Sequence, residues 1–127
     1  MKLVVVEDSA ILRRMVVQRL EDEVGATTVG QADGESTALT TVKLTSPDAV
    51  LVDLNLASGS GLALVSRLRA HRFRGRLIVL SSNDREAYEP MVLARGADRF
   101  YDKSNDFEGL LRGLGNPAGS LWMGMGD

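Results

Sequence analysis

The feature that most constrains this chain is the alternation of short apolar runs with longer helical segments over its first 114 residues. Three runs are too short for helices and consist of branched and aliphatic residues, as buried strands do: Leu3–Val6, Ala49–Val52 and Leu77–Leu80. Two weaker segments also indicate strands, namely the Thr-rich Ala26–Gln31, expected near a sheet edge, and the short Asp98–Tyr101. We therefore predict five strands.

A helical segment follows each of these strands. In the first, Leu12, Val16 and Leu20 recur every four residues, which predicts a helix packed on the sheet along one side. The others are predicted at Gly34–Ser46, Gly61–His71, Asp84–Arg95 and Phe107–Leu114. Pro90 lies inside the fourth helix and lacks an N–H, so we expect that helix either to kink or to begin only near Pro90.

Strands that alternate with helices predict a parallel sheet covered on both faces, because right-handed crossovers place helices on each side. Five such units are the size of a flavodoxin-like α/β fold, a doubly wound sheet with strand order 2-1-3-4-5. We expect residues 1–114 to form this domain. Residues 115–127 are predicted to be a Gly-rich tail. Its apolar residues between Leu121 and Met125 leave disorder, docking and self-association as a homodimer open.

Composition excludes several classes of protein. The chain has no Cys and one His, which removes disulfide scaffolds, zinc clusters and thiol catalysis and makes a Ser-His-Asp triad implausible. No run approaches the roughly 18 apolar residues of a membrane span. The net charge of −2 gives no global reason to bind nucleic acid. We therefore expect a cytoplasmic protein that binds neither nucleic acid nor a membrane.

Polar side chains follow four of the five predicted strands at the point where the strand ends. Glu7 and Asp8 follow the first strand, Asp53 the third, Ser81 the fourth and Lys103 the fifth. In the order 2-1-3-4-5 these strands are neighbours, and their carboxyl ends share one edge of the sheet. The sequence thus predicts a crevice that holds three carboxylates, a hydroxyl and an ammonium group.

Carboxylates this close repel one another unless a cation joins them, and Mg²⁺ prefers such oxygen ligands together with water and phosphate oxygens. Lys103 and Ser81 suit the oxygens of a phosphoryl group. Asp53 is then left as the nucleophile, since a carboxylate can carry a phosphoryl group as an acyl phosphate. These residue types predict Mg²⁺-dependent phosphoryl transfer.

The segments VVVEDS, VLVDLN, VLSS and FYDKS, in this order and spacing, resemble the receiver domain of bacterial two-component response regulators over residues 1 to about 114. The resemblance implies that Glu7 and Asp8 hold Mg²⁺, with Asp8 in direct contact and Glu7 acting largely through water. It implies that Asp53 is phosphorylated and also binds the metal. Asn55 stands where the family uses a backbone carbonyl as a further metal ligand.

The same resemblance assigns three residues to the response to phosphorylation. Ser81 matches the hydroxyl residue that moves toward the phosphoryl group, and Tyr101 matches the aromatic switch that turns inward behind it. Lys103 matches the lysine that pairs with the phosphoryl oxygens. Asn55 and Asn83 flank the site at positions that resemble those tuning dephosphorylation.

The chain departs from the family pattern in two loops. Leu56-Ala57 stands where Met-Pro is usual, so we expect a looser loop, although Gly61 matches the family's glycine. Ser104 replaces the proline that usually follows the lysine, often with a cis bond. A non-proline cis bond costs about 2.5–4 kcal/mol, which leaves both isomers open. On the basis of the resemblance we slightly favour the cis isomer.

The resemblance implies a stand-alone signalling domain rather than an enzyme. It would accept a phosphoryl group from a histidine kinase or a histidine phosphotransfer protein and bind an unidentified protein through its fourth helix, last strand and fifth helix. One alternative is a hydrolase of the haloacid dehalogenase type, whose signature would need Asp in place of Asn55. The other is a pseudo-receiver, a binding module that is never phosphorylated.

Two further patterns stand outside this site. Five arginines and the only histidine fall between Arg67 and Arg76, which indicates either a solvated helix end or a docking patch for an acidic partner. The segment Gly59–Gly61 resembles the opening of a dinucleotide fingerprint. It follows the third strand rather than the first and has Leu64 where the third glycine belongs, so nucleotide binding there is disfavoured.

Overall fold

The computed structural model describes residues 1–115, which fold around one five-stranded parallel sheet with strand order β2-β1-β3-β4-β5. The strands are β1 (Lys2–Val6), β2 (Thr27–Ala32), β3 (Ala49–Val52), β4 (Arg76–Ser81) and β5 (Arg99–Asp102). The helices are α1 (Ala10–Arg19), α2 (Glu35–Thr45), α3 (Gly61–Ala70), α4 (Arg85–Ala94) and α5 (Phe107–Gly115). The predicted flavodoxin-like α/β fold is confirmed, with β2 at an edge.

The hydrophobic core has two layers, one on each face of the sheet. Val4 and Val6 of β1 pack on the side covered by α2, α3 and α4, whereas Leu3 and Val5 pack on the side covered by α1 and α5. Helices therefore cover both faces of the central strands, and all four residues of β3 are buried. This double burial explains why the central strands appear in the sequence as continuous apolar runs.

The start of α4 differs from one of the two predicted alternatives. Asp84 caps this helix by accepting the backbone N–H of Glu86 at 3.3 Å, and Tyr88 N–H bonds to the Asp84 carbonyl at 3.0 Å. The helix thus begins at Arg85, and the alternative that it begins only near Pro90 is wrong. The side-chain cap satisfies donors of the first turn, so the helix forms ahead of the proline.

Helix α1 also corrects a detail of the sequence interpretation. Val16 and Leu20 are buried as predicted, but Leu12 is 36% exposed. Beyond Arg19 the chain continues as a π-helical turn over Leu20–Val24 and ends at Gly25, whose φ of 73° is left-handed. The periodic pattern identified the helix but assigned one residue too many to its buried side.

None of the helices in residues 1–115 combines the length and the hydrophobicity needed to cross a lipid bilayer. The tail residues Leu121, Trp122, Met123 and Met125 lie outside the described residues, as does most of the predicted segment 115–127.

Candidate functional site

The backbone ladders of the sheet continue one residue past the strands and fix the position of the site. Three hydrogen bonds of 3.0 Å do this: Glu7 N to Ala32 O, Asp53 N to Val6 O, and Lys103 N to Ser81 O. Each of the residues that follow β1, β3 and β5 is therefore anchored to its neighbouring strand. The predicted convergence at the carboxyl edge follows from this arrangement.

Lys103 joins the acidic residues from the far side of the sheet. Its Nζ lies 2.8 Å from Glu7 Oε1 and 3.0 Å from Asp53 Oδ2. The two carboxylate side chains are only 4% and 5% exposed, and that of Lys103 is 19% exposed. Burial alone lowers the pKa of the Lys103 ammonium, but its hydrogen bonds to Glu7 and Asp53 outweigh burial and raise this pKa above its usual value. Lys103 is therefore a firmly charged cation.

Glu7, Asp8 and Asp53 form a cluster suited to a hard divalent cation. One carboxylate oxygen from each lies within 4.8 Å of the others, and Asp8 is exposed while the other two are buried. A side-chain hydrogen bond with Glu7, together with desolvation and the negative charge of Glu7, raises the pKa of Asp8. A bound cation would offset the repulsion between these two carboxylates. The donor set thus fits Mg²⁺, with the open side at Asp8 left for water ligands.

The loop residues Asn55 and Asn83 meet across the mouth of the site. Asn55 Nδ2 donates to Asn83 Oδ1 at 2.8 Å, which joins the loop after β3 to the loop after β4. The backbone N–H of Asn55 donates to Asp53 Oδ1 at 3.2 Å. Both oxygens of Asp53 are therefore engaged, one by this N–H and the other by Lys103. The sequence placed both asparagines beside the site but did not reveal that they bond to each other.

Ser81 and Tyr101 lie on adjacent strands behind the acidic cluster. Ser81 is fully buried, and its Oγ accepts the backbone N–H of Asn83 at 3.0 Å. Tyr101 pairs in register with Leu80, is partly buried, and packs against the core layer under α1 and α5. The structure thus places the predicted hydroxyl at the end of β4 and the predicted aromatic residue on β5 beside it.

The peptide bond between Lys103 and Ser104 is trans, and the expectation of a cis bond is wrong, since residues 1–115 hold no cis peptide. Without a proline the trans form is favoured by about 2.5–4 kcal/mol. Asp102 instead shapes this turn, because its Oδ1 accepts the N–H groups of Ser104 at 2.8 Å and of Asn105 at 3.0 Å.

The loop after β3 is held by a glutamate on α2. Glu35 accepts the backbone N–H of Ser60 at 3.0 Å and pairs with Arg67 NH1 at 2.9 Å. The hydrogen bond from Arg67, followed by that from Ser60, lowers the pKa of Glu35. A loop that lacks the usual Met-Pro is thus tied to its neighbour by a charged side chain.

Gly61 is required by close approach rather than by a special φ angle. Its N–H bonds to the Leu54 carbonyl at 3.1 Å, and a Cβ at this position would overlap the carbonyl oxygen of Asp53 and the Leu54 Cα. The first residue of α3 therefore packs directly on the backbone that carries Asp53. Any larger residue would have to displace the backbone of Asp53 and Leu54.

Sequence analysis missed Arg13 as a residue that supports the site. Its NH1 donates to the backbone carbonyl of Glu7 at 2.6 Å, and its Nε donates to Gln31 Oε1 at 3.2 Å. The side chain thus fixes the turn between β1 and α1 against β2. Nothing in the local sequence marks this arginine, because its partners lie six and eighteen residues away.

Comparison with known proteins identifies the family to which this arrangement belongs. The family model described as the response regulator receiver domain matches residues 3–114. The chain belongs to that family. Receiver domains are signalling domains of two-component systems, so the family predicted from the motifs is confirmed.

Individual relatives agree with this assignment. The chain is 30% identical over 116 residues to the nitrate/nitrite response regulator protein NarL of Escherichia coli K12, an alignment that covers 91% of this chain and 54% of the relative. It is 34% identical over 110 residues to the two-component response regulator PhoP of Pseudomonas aeruginosa, which covers 87% of this chain and 48% of the relative. The chain spans about half the length of these curated relatives.

Solved structures show the same fold in receiver domains. The receiver domain of a putative response regulator NarL from Mycobacterium tuberculosis superposes with a TM-score of 0.80 at 24% identity, covering 97% of this chain and 96% of that chain. The BeF₃⁻-activated N-terminal receiver domain of Klebsiella pneumoniae RstA gives a TM-score of 0.81 at 25% identity, covering 90% and 95%.

Proposed function

We propose that this receiver domain accepts a phosphoryl group from phosphohistidine on Asp53 in a reaction that requires Mg²⁺. The observation that carries the proposal is the contact of Lys103 Nζ with Asp53 Oδ2 at 3.0 Å, beside the buried Glu7 and the exposed Asp8. A carboxylate can carry a phosphoryl group as an acyl phosphate, and the ammonium group and two further acids beside Asp53 suit the phosphoryl oxygens and a metal ion. An aspartate that only forms a turn at the end of a strand does not require an ammonium group and two further carboxylates beside it.

The chain's own residues supply positioning and charge. A carboxylate oxygen of Asp53 forms the bond to phosphorus while the bond from phosphorus to the histidine nitrogen breaks, and that nitrogen keeps the electron pair. Lys103 is already charged and lies beside Asp53, so it can pair with the phosphoryl oxygens. Glu7, Asp8, Asp53 and the Asn55 carbonyl would hold Mg²⁺, which neutralises charge that develops on the phosphoryl group.

Ser81 and Tyr101 would couple the modification to the surface. In the present arrangement the Ser81 hydroxyl accepts an N–H from Asn83, so it must turn away from this bond to reach a phosphoryl oxygen. Tyr101 is only partly buried and can move inward as Ser81 leaves its place. Phosphorylation would then shift an existing equilibrium at α4, β5 and α5 rather than create a new fold. The implied partners are a cytoplasmic histidine kinase or phosphotransfer protein and an unidentified target protein.

Intact-mass spectrometry after incubation with acetyl phosphate tests the proposal. We expect a gain of one phosphoryl group in the presence of Mg²⁺ and none after chelation. Asp53→Asn should abolish the gain, whereas the matched control Asp33→Asn, at an exposed aspartate outside the cluster, should keep it. A domain that takes no label from acetyl phosphate or from a cognate histidine kinase would be a pseudo-receiver. Steady turnover of small phosphoesters would instead indicate a hydrolase.

A further inference from the structure

A cleft on the opposite edge of the sheet has no role in the proposed phosphoryl transfer. It is a cavity of about 380 Å³ between the C-terminal ends of α2 and α3. Its floor is apolar and includes Val42, Leu68 and Phe73, while its rim carries basic side chains. The cavity lies within the size range of small-molecule sites, which is about 300–1,000 Å³.

The rim of this cleft is strongly and persistently positive. Lys43, Arg72 and Arg74 all line it, all are exposed, and none forms a side-chain ion pair or hydrogen bond within residues 1–115. No carboxylate is among the lining residues. The C-terminal ends of two helices contribute about −0.5 charge each. The three cationic side chains outweigh these two partial charges, so the lining of the cleft is net positive.

The wall that carries these arginines is held rigidly by Arg69. This side chain donates to the carbonyl oxygens of Phe73 at 2.7 Å, Gly75 at 2.9 Å and Gly96 at 2.8 Å, and it pairs with Asp98 at 3.0 Å. Its guanidinium group also lies 5.6 Å from the centre of the Phe73 ring. The loop between α3 and β4 is thus fixed in shape, so the cleft exists before any ligand arrives.

Two residues beside the cleft adopt an uncommon backbone conformation. Ser46 has a φ of 47° and Arg72 a φ of 68°, and in the described part of the chain no other non-glycine residue has a positive φ. Both follow the ends of their helices, where glycine is the usual residue in this conformation. At Arg72 the chain thus places a cation on the rim at a position where glycine would be less strained.

From these observations we propose that the cleft binds a small organic anion, a compound with an apolar body and a carboxylate, phosphate or sulfonate group. The apolar body would rest on Val42, Leu68 and Phe73, and the anionic group would pair with Arg72, Arg74 and Lys43. A small ligand fits better than a protein segment because the cleft has the volume of a ligand site, with buried apolar residues at its base and exposed cations from both α2 and the loop after α3. The arginines of the cluster would then have two different roles. Arg67 and Arg69 form contacts within the fold, whereas Arg72 and Arg74 line the cleft and would contact the ligand.

The probe 8-anilinonaphthalene-1-sulfonate has this chemistry and can be titrated into the full chain. We expect one saturable site by calorimetry, with amide chemical-shift changes confined to residues 42–47 and 68–75. The double variant R72G/R74S should bind at least about tenfold more weakly. Glycine relieves the backbone strain at position 72, so the thermal stability of the double variant should not fall below that of the parent chain. Arg14→Ser, a control at an exposed arginine without a described partner, should bind as the parent does.

Three outcomes would overturn the proposal. The first is equal binding of the uncharged analogue N-phenyl-1-naphthylamine, since the anion would then have no role. The second is a set of shift changes centred on exposed apolar residues such as Ile11 and Met15 of α1. The third is a change in the emission of Trp122, the only tryptophan, in R72G/R74S without probe, because the chain's own tail would then occupy the cleft.

Discussion

Lys103 and Glu7 lie near opposite ends of the domain's sequence, yet they form an ion pair of 2.8 Å. The glutamate side chain in this pair is only 4% exposed. The same ammonium group contacts Asp53, so one cation holds two nearly buried carboxylates. Lys103 is therefore the counter-ion of both carboxylates, besides its proposed role toward a phosphoryl group.

Replacing Lys103 should make the fold depend on a divalent cation. In Lys103→Met the two buried carboxylates lose their counter-charge, so we expect the free energy of unfolding to fall by about 2 kcal/mol, less than the 3–5 kcal/mol typical of a fully buried pair. Excess Mg²⁺ should stabilise this variant more than the parent, because it restores a positive charge. Urea unfolding with and without MgCl₂ measures both effects.

Lys43→Met is the matched control for this experiment. Lys43 is exposed and has no described partner, so its loss should change stability by no more than about 0.5 kcal/mol. An equal loss of stability in both variants would show that Lys103 is not a special counter-ion.

The Glu35 contact should stabilise the fold only above acidic pH. Because its pKa is lowered in the folded protein, its contribution is fully present above the ordinary value of 4.5 and is lost as the pH falls through the folded-state pKa. Glu35→Gln should therefore cost about 1 kcal/mol near neutral pH, and the difference from the parent should shrink below pH 4.5. Chemical unfolding across this pH range measures the effect. Glu86→Gln, at the first turn of α4, controls for the helix dipole and should show a smaller difference.

Enlarging Gly61 should disturb both the fold and the acidic site. In Gly61→Ala the new methyl group meets backbone atoms of Asp53 and Leu54 that cannot move as a flexible side chain does. We expect a loss of about 2 kcal/mol in the free energy of unfolding, together with weaker Mg²⁺ binding. Gly115→Ala is the control, because nothing lies within 4 Å of the added methyl group there. Similar stabilities for the two variants would contradict the close approach.

The bridge between Asn55 and Asn83 joins the loops that follow β3 and β4, so we expect it to limit the approach of water to a phosphorylated Asp53 and to prolong the phosphorylated state. Asn83→Ala removes one hydrogen bond worth about 1 kcal/mol, so we expect the phosphoryl group on Asp53 to be lost about fivefold faster. Time-resolved intact mass after removal of acetyl phosphate measures this rate. Ser82→Ala, at the exposed neighbouring position, should leave the rate unchanged.

Much of the site could be predicted because the chemistry follows strand ends. An apolar run that ends in Asp53 and another that ends before Ser81 fix where these side chains emerge, once the strand order is assumed. The prediction of a cis Lys103–Ser104 bond is wrong because the cis bond of the family depends on a proline at this position, and this chain has a serine there. The exposure of Leu12 could not be predicted because periodicity places the residue on one side of the helix but does not show whether another element covers it there.

By itself, the sequence determined the strands, the helices and, once the strand order of the fold class was assumed, the residues gathered at the carboxyl edge of the sheet, because burial on both faces of a parallel sheet demands local patterns that can be recognised one segment at a time. Only the tertiary structure decided which groups touch: Lys103 with Glu7, Asn55 with Asn83, Arg13 with the Glu7 carbonyl, and Arg69 with the loop beside the basic cleft. The contacts of Lys103 with Glu7 and of Asn55 with Asn83 join residues far apart in the chain, and the two arginine contacts each tie a helix to the loop beside it. Their distances depend on how the helices and loops pack, which no local pattern records.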